Sequence, residues 1–368
     1  MAKEINISDK KGIEEEKKSS IKKQEKKKKE KKKLPRERKI LILTLIGATI
    51  LLGGIATFFY FGIFKLKKYK SPNQIVNISQ GYIISAPISS LTLNIPTLIP
   101  SEPKTEESPI NGLLFTKTEM DLLKRRRPIA VMINNHSEAR PQSGLNSADI
   151  VYEALVESGI TRYLAIFWSE APSKVGPIRS ARQYYLEWLS PYDALYIYDG
   201  CAKTDNPKTN ACGNIYSYNI KSIATLGAWR WNDGRRYAPH NEYSSLEKAW
   251  EHAKAKKWDS VPSIDTYKFK KENSSDNRGE RTKVKVTFYE RLNNGGQYDA
   301  IWTYDPRTNR YLRTIGGRVD IDQETDTQIY ARNVILQQVT LSPSYDNKAR
   351  VILETIGEGK ATYLIDGK

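Results

Sequence analysis

Cysteine is nearly absent from this chain: Cys201 and Cys212 are the only two in 368 residues. That excludes a paired CxxC zinc module, and it leaves no lipid-accepting cysteine behind the apolar run near the N-terminus. A Walker loop, a GxGxxG turn, an HExxH helix and a GxSxG elbow are also missing. The familiar motifs of P-loop phosphoryl transfer, dinucleotide binding, zincin proteolysis and serine-hydrolase chemistry are therefore not written here. No internal repeat is visible, and no cofactor is expected.

Positive charge is what the sequence has in excess. The formal net charge is +17. Residues 1–39 hold 17 Lys/Arg against 8 Asp/Glu, so about half of the excess sits in a tail that cannot fold alone. Residues 40–64 follow without a single charge, a run of 25 that is long enough to cross a bilayer. It exceeds the h-region of a signal peptide and ends in no small-residue cleavage site, which predicts an uncleaved anchor. Only Lys65, Lys67, Lys68 and Lys70 flank its far side. The positive-inside rule then predicts a single-pass protein with a cytoplasmic N-terminus and extracytoplasmic main domains. The lysine tail is read as a solvated topology signal, and nucleic-acid binding is not expected.

Residues 65–111, rich in Ser, Pro, Thr and Asn, read as an extracytoplasmic linker. An α/β domain is predicted over 112–269. "RPIAVMIN", "TRYLAIFWS" and "ALYIYDG" read as buried strands, and "IRSARQYYLEWL" and "SSLEKAWEHAKAKKW" as helices. "SADIVYEALVES" (147–158) has apolar residues at 150, 151, 154 and 155, which is helical spacing. Asn146 with Asp149 resembles an N-cap box, and Gly159 would supply the stop. The alternation predicts a βαβαβ core with a mostly parallel sheet. Residues 283–368 read as a mainly antiparallel β domain. Its final "YLIDGK" starts a hairpin whose second arm is missing, and the domain is read as truncated.

In an open parallel sheet, ligands bind at the C-terminal strand ends. The loops expected there carry His136 and Arg140, and the predicted helix starts bring Asp149 and Arg179, with Arg182 and Glu153 one turn further along. In "VGPIRSAR" the two arginines have no acidic residue from 171 to 186 to pair with. Two readings are open: a salt bridge to Asp149 or Glu153, or an anion site of paired guanidiniums and free helix N–H groups. Glu157 is read as a surface residue. His240 in "YAPHNEY" is a candidate general base or phosphate contact, or else a hydrogen-bonding fixture of its loop. His252 reads as surface or packing. His136 and His240 with Asp149 show no metal-ligand spacing, so no metal site is expected. Cys201 and Cys212 could close a disulfide around "AKTDNPKTNA".

The long run "RPIAVMINNHSEARPQSGLNSADIVYEALVESGITRYLAIF", then "VGPIRSAR", "APHNEY", "ARNVILQQV" and "GEGKATYLIDGK", resembles the YerB-like family of bacterial envelope proteins. The resemblance covers roughly 112–368. It implies an α/β portion followed by a β-rich portion, an extracytoplasmic location and a two-part domain of unknown function. Many such proteins look like lipoproteins, whereas this chain carries an apolar segment in place of a lipobox cysteine. The resemblance implies no particular activity; the arginine pair at the predicted ligand edge is what points to binding of an anionic cell-wall polymer or an envelope protein partner, with membrane attachment through residues 40–64. Arg140, Arg179, Arg182, His136 and His240 would make the contacts, oriented by Asp149 and Glu153. The alternatives are a hydrolase or transferase acting on wall glycan or polymer phosphodiester, with His240 or Glu153 moving the proton, and a scaffold that regulates wall-synthesis enzymes.

Overall fold

A computed structural model describes residues 102–259, 264, 267–288, 296–346 and 348–368, which all fall in one compact unit. The tail 1–39, the apolar run 40–64 and residues 65–101 lie outside the described residues. Among the described residues no helix is long and apolar enough to cross a membrane. The end of the stretch read as linker is folded: β1 (Lys104–Glu107) pairs antiparallel with β2 (Leu114–Thr116), and Ile110 is buried in the core. Thr116 and Glu119 form a reciprocal capping box that starts α1 (Lys117–Leu123).

Strand β3 (Ile129–Asn134) is buried along its whole length. Ala130 and Met132 face one core, while Ile129, Val131 and Ile133 face the other. A strand covered on both faces reads as a continuous apolar run rather than as an alternation. Around it lie β4 (Ile150–Leu155), β5 (Thr161–Phe167), β6 (Leu195–Ile197) and β7 (Lys221–Ser222), in the order β4-β5-β3-β6-β7. The β4/β5 and β5/β3 pairs are antiparallel, and the β3/β6 and β6/β7 pairs are parallel. The sheet is therefore mixed rather than mostly parallel. Helices α2 (Gln183–Leu189) and α3 (Ala211–Ser217) cover one face, through Tyr184, Tyr185, Leu186 and Ile215. A short antiparallel pair, β8 (Trp229–Arg230) with β9 (Glu242–Tyr243), precedes α4 (Leu246–Ala255), which buries Leu246, Ala249 and Ala253 on the other face.

Two expected helical stretches are corrected. Residues 150–155 form β4, not a helix. Ile150, Tyr152 and Ala154 turn to one core while Val151, Glu153 and Leu155 point the other way, so the period is two. The apolar pairs 150/151 and 154/155 satisfy both periods. The β-branched and aromatic residues, and an edge of β5 needing a partner, decide for strand. Asp149 does not cap a helix; its carboxylate accepts from Trp168 and Ser169 N–H at the far end of β5. The second correction is "VGPIRSAR". Ile178 bridges to Ile133 and Ala181 to Cys201, so the segment is extended, and α2 begins only after Arg182. An odd spacing in extended chain sends side chains to opposite sides, so Arg179 and Arg182 share no helical face.

The C-terminal region is built from antiparallel strands. β10 (Lys283–Val286), β11 (Ala300–Asp305), β12 (Arg310–Ile315) and β13 (Arg318–Val319) form one sheet; β14 (Ile321–Asp322) pairs with β15 (Thr327–Gln328), and β16 (Tyr330–Ala331) adds to β12. β17 (Asn333–Gln337) pairs with β20 (Ala361–Ile365), and β18 (Thr340–Pro343) with β19 (Val351–Glu354). After β20 the chain turns at Asp366 and Gly367, both at positive φ, and Ile365 and Lys368 exchange backbone hydrogen bonds. The observed architecture is a mixed α/β N-terminal region followed by a β-rich C-terminal region with few helices.

Both regions share a core. Leu353 of β19 is buried in the cluster beneath α2, and Ile329 in the cluster beneath α4. The polar centre of the joint is Arg313, 2% exposed, which donates to Glu153 at 2.8 Å and to Asp320. Burial opposes charge on Arg313, yet Glu153, Tyr163 and Asp320 outweigh it and raise the guanidinium pKa. Removing one member of such a network leaves buried carboxylates unpaired, at a cost of about 3–5 kcal/mol. Arg313→Met is expected to lower unfolding free energy by about that amount in urea denaturation. A loss below about 1 kcal/mol would show that this joint is not what holds the two regions together.

Candidate functional site

Because β3 and β6 run parallel, their C-terminal ends open on one edge of the sheet. β3 ends in Asn134, whose backbone N–H donates to Pro177 O at 2.8 Å and whose carbonyl accepts from Gln142 Nε2. Its side chain serves two loops. Oδ1 accepts from His136 N–H at 2.9 Å, and Nδ2 contacts His240 Nδ1 at 2.9 Å. An amide nitrogen can only donate, so His240 Nδ1 is the acceptor. The two imidazoles then stack, with centroids 4.4 Å apart and planes at 24°. Glu138, two residues beyond His136 in the 3₁₀ turn Ser137–Ala139, places Oε2 3.4 Å from His240 Nε2. Burial lowers the pKa of His240, and neighbouring His136 and Arg179 add to the effect.

Arg179 lies beside this pair. The extended segment is pinned by Arg179 N–H to Met132 O, by Asp199 N–H to Arg179 O, and by Ile178 N–H to Glu242 O. The guanidinium is half-buried and makes no hydrogen bond or ion pair with the described residues. Burial depresses its pKa, and Asp199 is the largest influence in the opposite direction. Burial and the neighbouring Asp199 raise the pKa of Glu242, against the pull of Arg230. Arg230 is paired with Glu242 at 2.6 Å. Among the described residues the edge thus combines a cation without an ion pair, two stacked imidazoles and the neighbouring carboxyls of Asp199 and Glu242.

The remaining sequence candidates are placed elsewhere or fully engaged. Arg182 donates to Glu157 at 2.5 Å, and Glu157 also faces buried Arg162 at 3.8 Å. Arg162 itself is held down to about 10 by burial, with Arg182 beside it. Glu157, read from the sequence as a surface residue, is thus the partner that Arg182 required, while Asp149 and Glu153 are not. Arg140 spends its nitrogens on Asn135 Oδ1, Asn135 O and Gln297 O, and it lies over Tyr298. Glu153 accepts from Arg313, Asn135 and Thr161. Asp149 is at the opposite end of the sheet, accepting from Asn111, Trp168 and Ser169. His252 stays on α4 with its ring against Trp258. Asn134 and Glu138 were not singled out in the sequence; the adjacency of Glu138 to His136 at i, i+2 was the available signal.

A mixed α/β sheet domain, fused through a shared core to an antiparallel β region and bearing a histidine–arginine edge, is the class these observations define. Two family descriptions match the chain: "Protein of unknown function (DUF3048) N-terminal domain" over residues 115–259 and its C-terminal domain over 284–368. The chain belongs to this family. It is 31% identical over 268 residues to the Bacillus subtilis (strain 168) protein named "Putative lipoprotein YerB", covering 71% of this chain and 76% of that one. The crystal structure of the YerB protein from Bacillus subtilis superposes with a TM-score of 0.61 at 28% identity, covering 72% of this chain and 85% of the other.

One covalent tie borders the site. Cys201 and Cys212 are joined by a disulfide across 11 residues, with their Cα atoms 5.2 Å apart. Ala181 N–H donates to Gly200 O and Cys212 N–H to Ala202 O, so the tie backs the segment carrying Arg179. Closing a loop of this length restricts the unfolded chain by roughly 2–3 kcal/mol. A Cys201→Ser/Cys212→Ser variant, or the reduced protein, is expected to lose about that much stability in thermal unfolding. Identical midpoints for oxidised and reduced protein would contradict this.

Proposed function

We propose that this chain is a membrane-anchored, extracytoplasmic envelope protein that binds an anionic wall-associated ligand at the edge formed by Arg179, His136 and His240. The anchoring half of the reading rests on the uncharged run 40–64 and on the lipoprotein name of the Bacillus subtilis relative. The binding half rests on one observation: Arg179 is a half-buried guanidinium without a hydrogen bond or ion pair among the described residues. A cation desolvated to that degree is costly unless an anion completes it. Guanidinium geometry suits phosphate or carboxylate oxygens, and imidazole N–H groups add further donors. The hydrolytic alternative has less support, since Glu153 is committed to Arg313 and His240 Nδ1 to Asn134.

The test is a calorimetric titration of the full-length chain with poly(glycerol phosphate), and separately with inorganic phosphate. Arg179→Ala is expected to weaken binding roughly tenfold to a hundredfold, the range of a charge-assisted contact. Arg235→Ala, at an exposed arginine paired with Asp233, is expected to leave it unchanged. Equal affinity in the parent chain and Arg179→Ala would overturn the assignment.

A further inference from the structure

We infer that His136, Glu138 and His240 form a binding site for a divalent transition-metal ion of the zinc type. This goes beyond anion binding and stands whether or not Arg179 takes an anion. One ligand atom from each of the three residues lies within 4.8 Å of the other two. His240 Nε2 and Glu138 Oε2 are 3.4 Å apart. Two donors on a tetrahedral zinc, each at about 2.0–2.1 Å, stand roughly 3.4 Å from one another. That pair already has the spacing of a shared ion. The stacked rings hold the two imidazoles side by side, and the Glu138 side chain, 70% exposed, is free to close on an ion.

The donor set determines the class of metal. Two imidazoles and one carboxylate suit Zn²⁺ and its borderline neighbours, whereas Mg²⁺ and Ca²⁺ require mostly oxygen. Three protein ligands would leave a coordination position open to water or to a ligand. The cysteines cannot compete, because they are joined to each other.

Asn134 provides a sharper criterion than the ligands themselves. A metal on His240 Nε2 needs the ring proton on Nδ1, which must then donate. In the present geometry Nδ1 receives a hydrogen bond from Asn134 Nδ2, while Asn134 Oδ1 is held by His136 N–H. Loading therefore requires the amide to turn and give up the His136 contact. The 3.3 Å contact from Glu138 N–H to His136 Nδ1 is long and easily released. An aspartate at 134 would remove the conflict: one oxygen accepts from His136 N–H and the other from His240 Nδ1–H. A carboxylate behind a metal-bound histidine typically changes affinity by roughly 10–100-fold.

The experiment is a chelator-competition titration of tag-free, metal-stripped full-length chain with Zn²⁺, its fold monitored by circular dichroism. One ion per chain is expected, with affinity falling at least about tenfold in His136→Ala and in His240→Ala and rising in Asn134→Asp. Glu138→Gln, at an exposed position, covers the case in which a histidine variant fails to fold, and it should weaken binding as well. Mg²⁺ in large excess should not displace Zn²⁺. Sub-stoichiometric binding, equal affinity in the Glu138→Gln variant, displacement by Mg²⁺, or no tightening in Asn134→Asp would each overturn the inference.

Discussion

The antiparallel register between β3 and β5, running from Ile129 opposite Phe167 to Asn134 opposite Arg162, governs where the polar groups of the sheet end up. It reverses the chain once on one side of β3, while β6 continues parallel on the other side. One edge of the sheet therefore collects the end of β3, the start of β5 and the exit from β6. The opposite edge receives the exit from β5. Asp149 and Ser169 are displaced from the histidines for that reason alone. The β4/β5 register, with Glu153 opposite Tyr163, presents Glu153 to Arg313 of the second region.

The arginines sort themselves by the same geometry. Burying a guanidinium is tolerable only with a carboxylate or several carbonyls to receive it. Arg313 has Glu153 and Asp320, Arg182 has Glu157, and Arg127 has Asp193. Arg140 is satisfied by an amide oxygen, two backbone carbonyls and a tyrosine face. Arg179 differs: among the described residues its guanidinium makes no ion pair or hydrogen bond, although the charge of Asp199 acts in its favour.

Much of the fold could be read from the sequence where burial was complete. β3 and β5 are covered on both faces, so they appear as short apolar runs whatever their direction. The strands of the second region alternate between turn residues and are similarly visible. β4 was not legible, because Ile150, Val151, Ala154 and Leu155 fit helical and extended periods equally; the β-branched and aromatic residues lean to strand, and the free edge of β5 completes the decision. "VGPIRSAR" failed for a related reason. Its extended form is held by Met132, Asp199 and Glu242, none of which is local. Of the site, His136, His240 and Arg179 could be named from residue type and loop position. Glu157 and Arg313 could not, since their partners are set by tertiary contact.

Asn134 shows how a rigid element transmits order to loops far apart in sequence. As the last residue of a fully buried strand it has little freedom, and its backbone and amide hold the loops carrying Pro177, Gln142, His136 and His240. Loops alone would place two imidazoles 104 residues apart with no common reference. Anchored to one strand end, they inherit its position to within hydrogen-bond tolerance, which a stacked pair 4.4 Å apart requires. The chemistry of the edge is therefore limited less by the histidines than by the single amide behind them, which fixes the ring nitrogen on which His240 can accept.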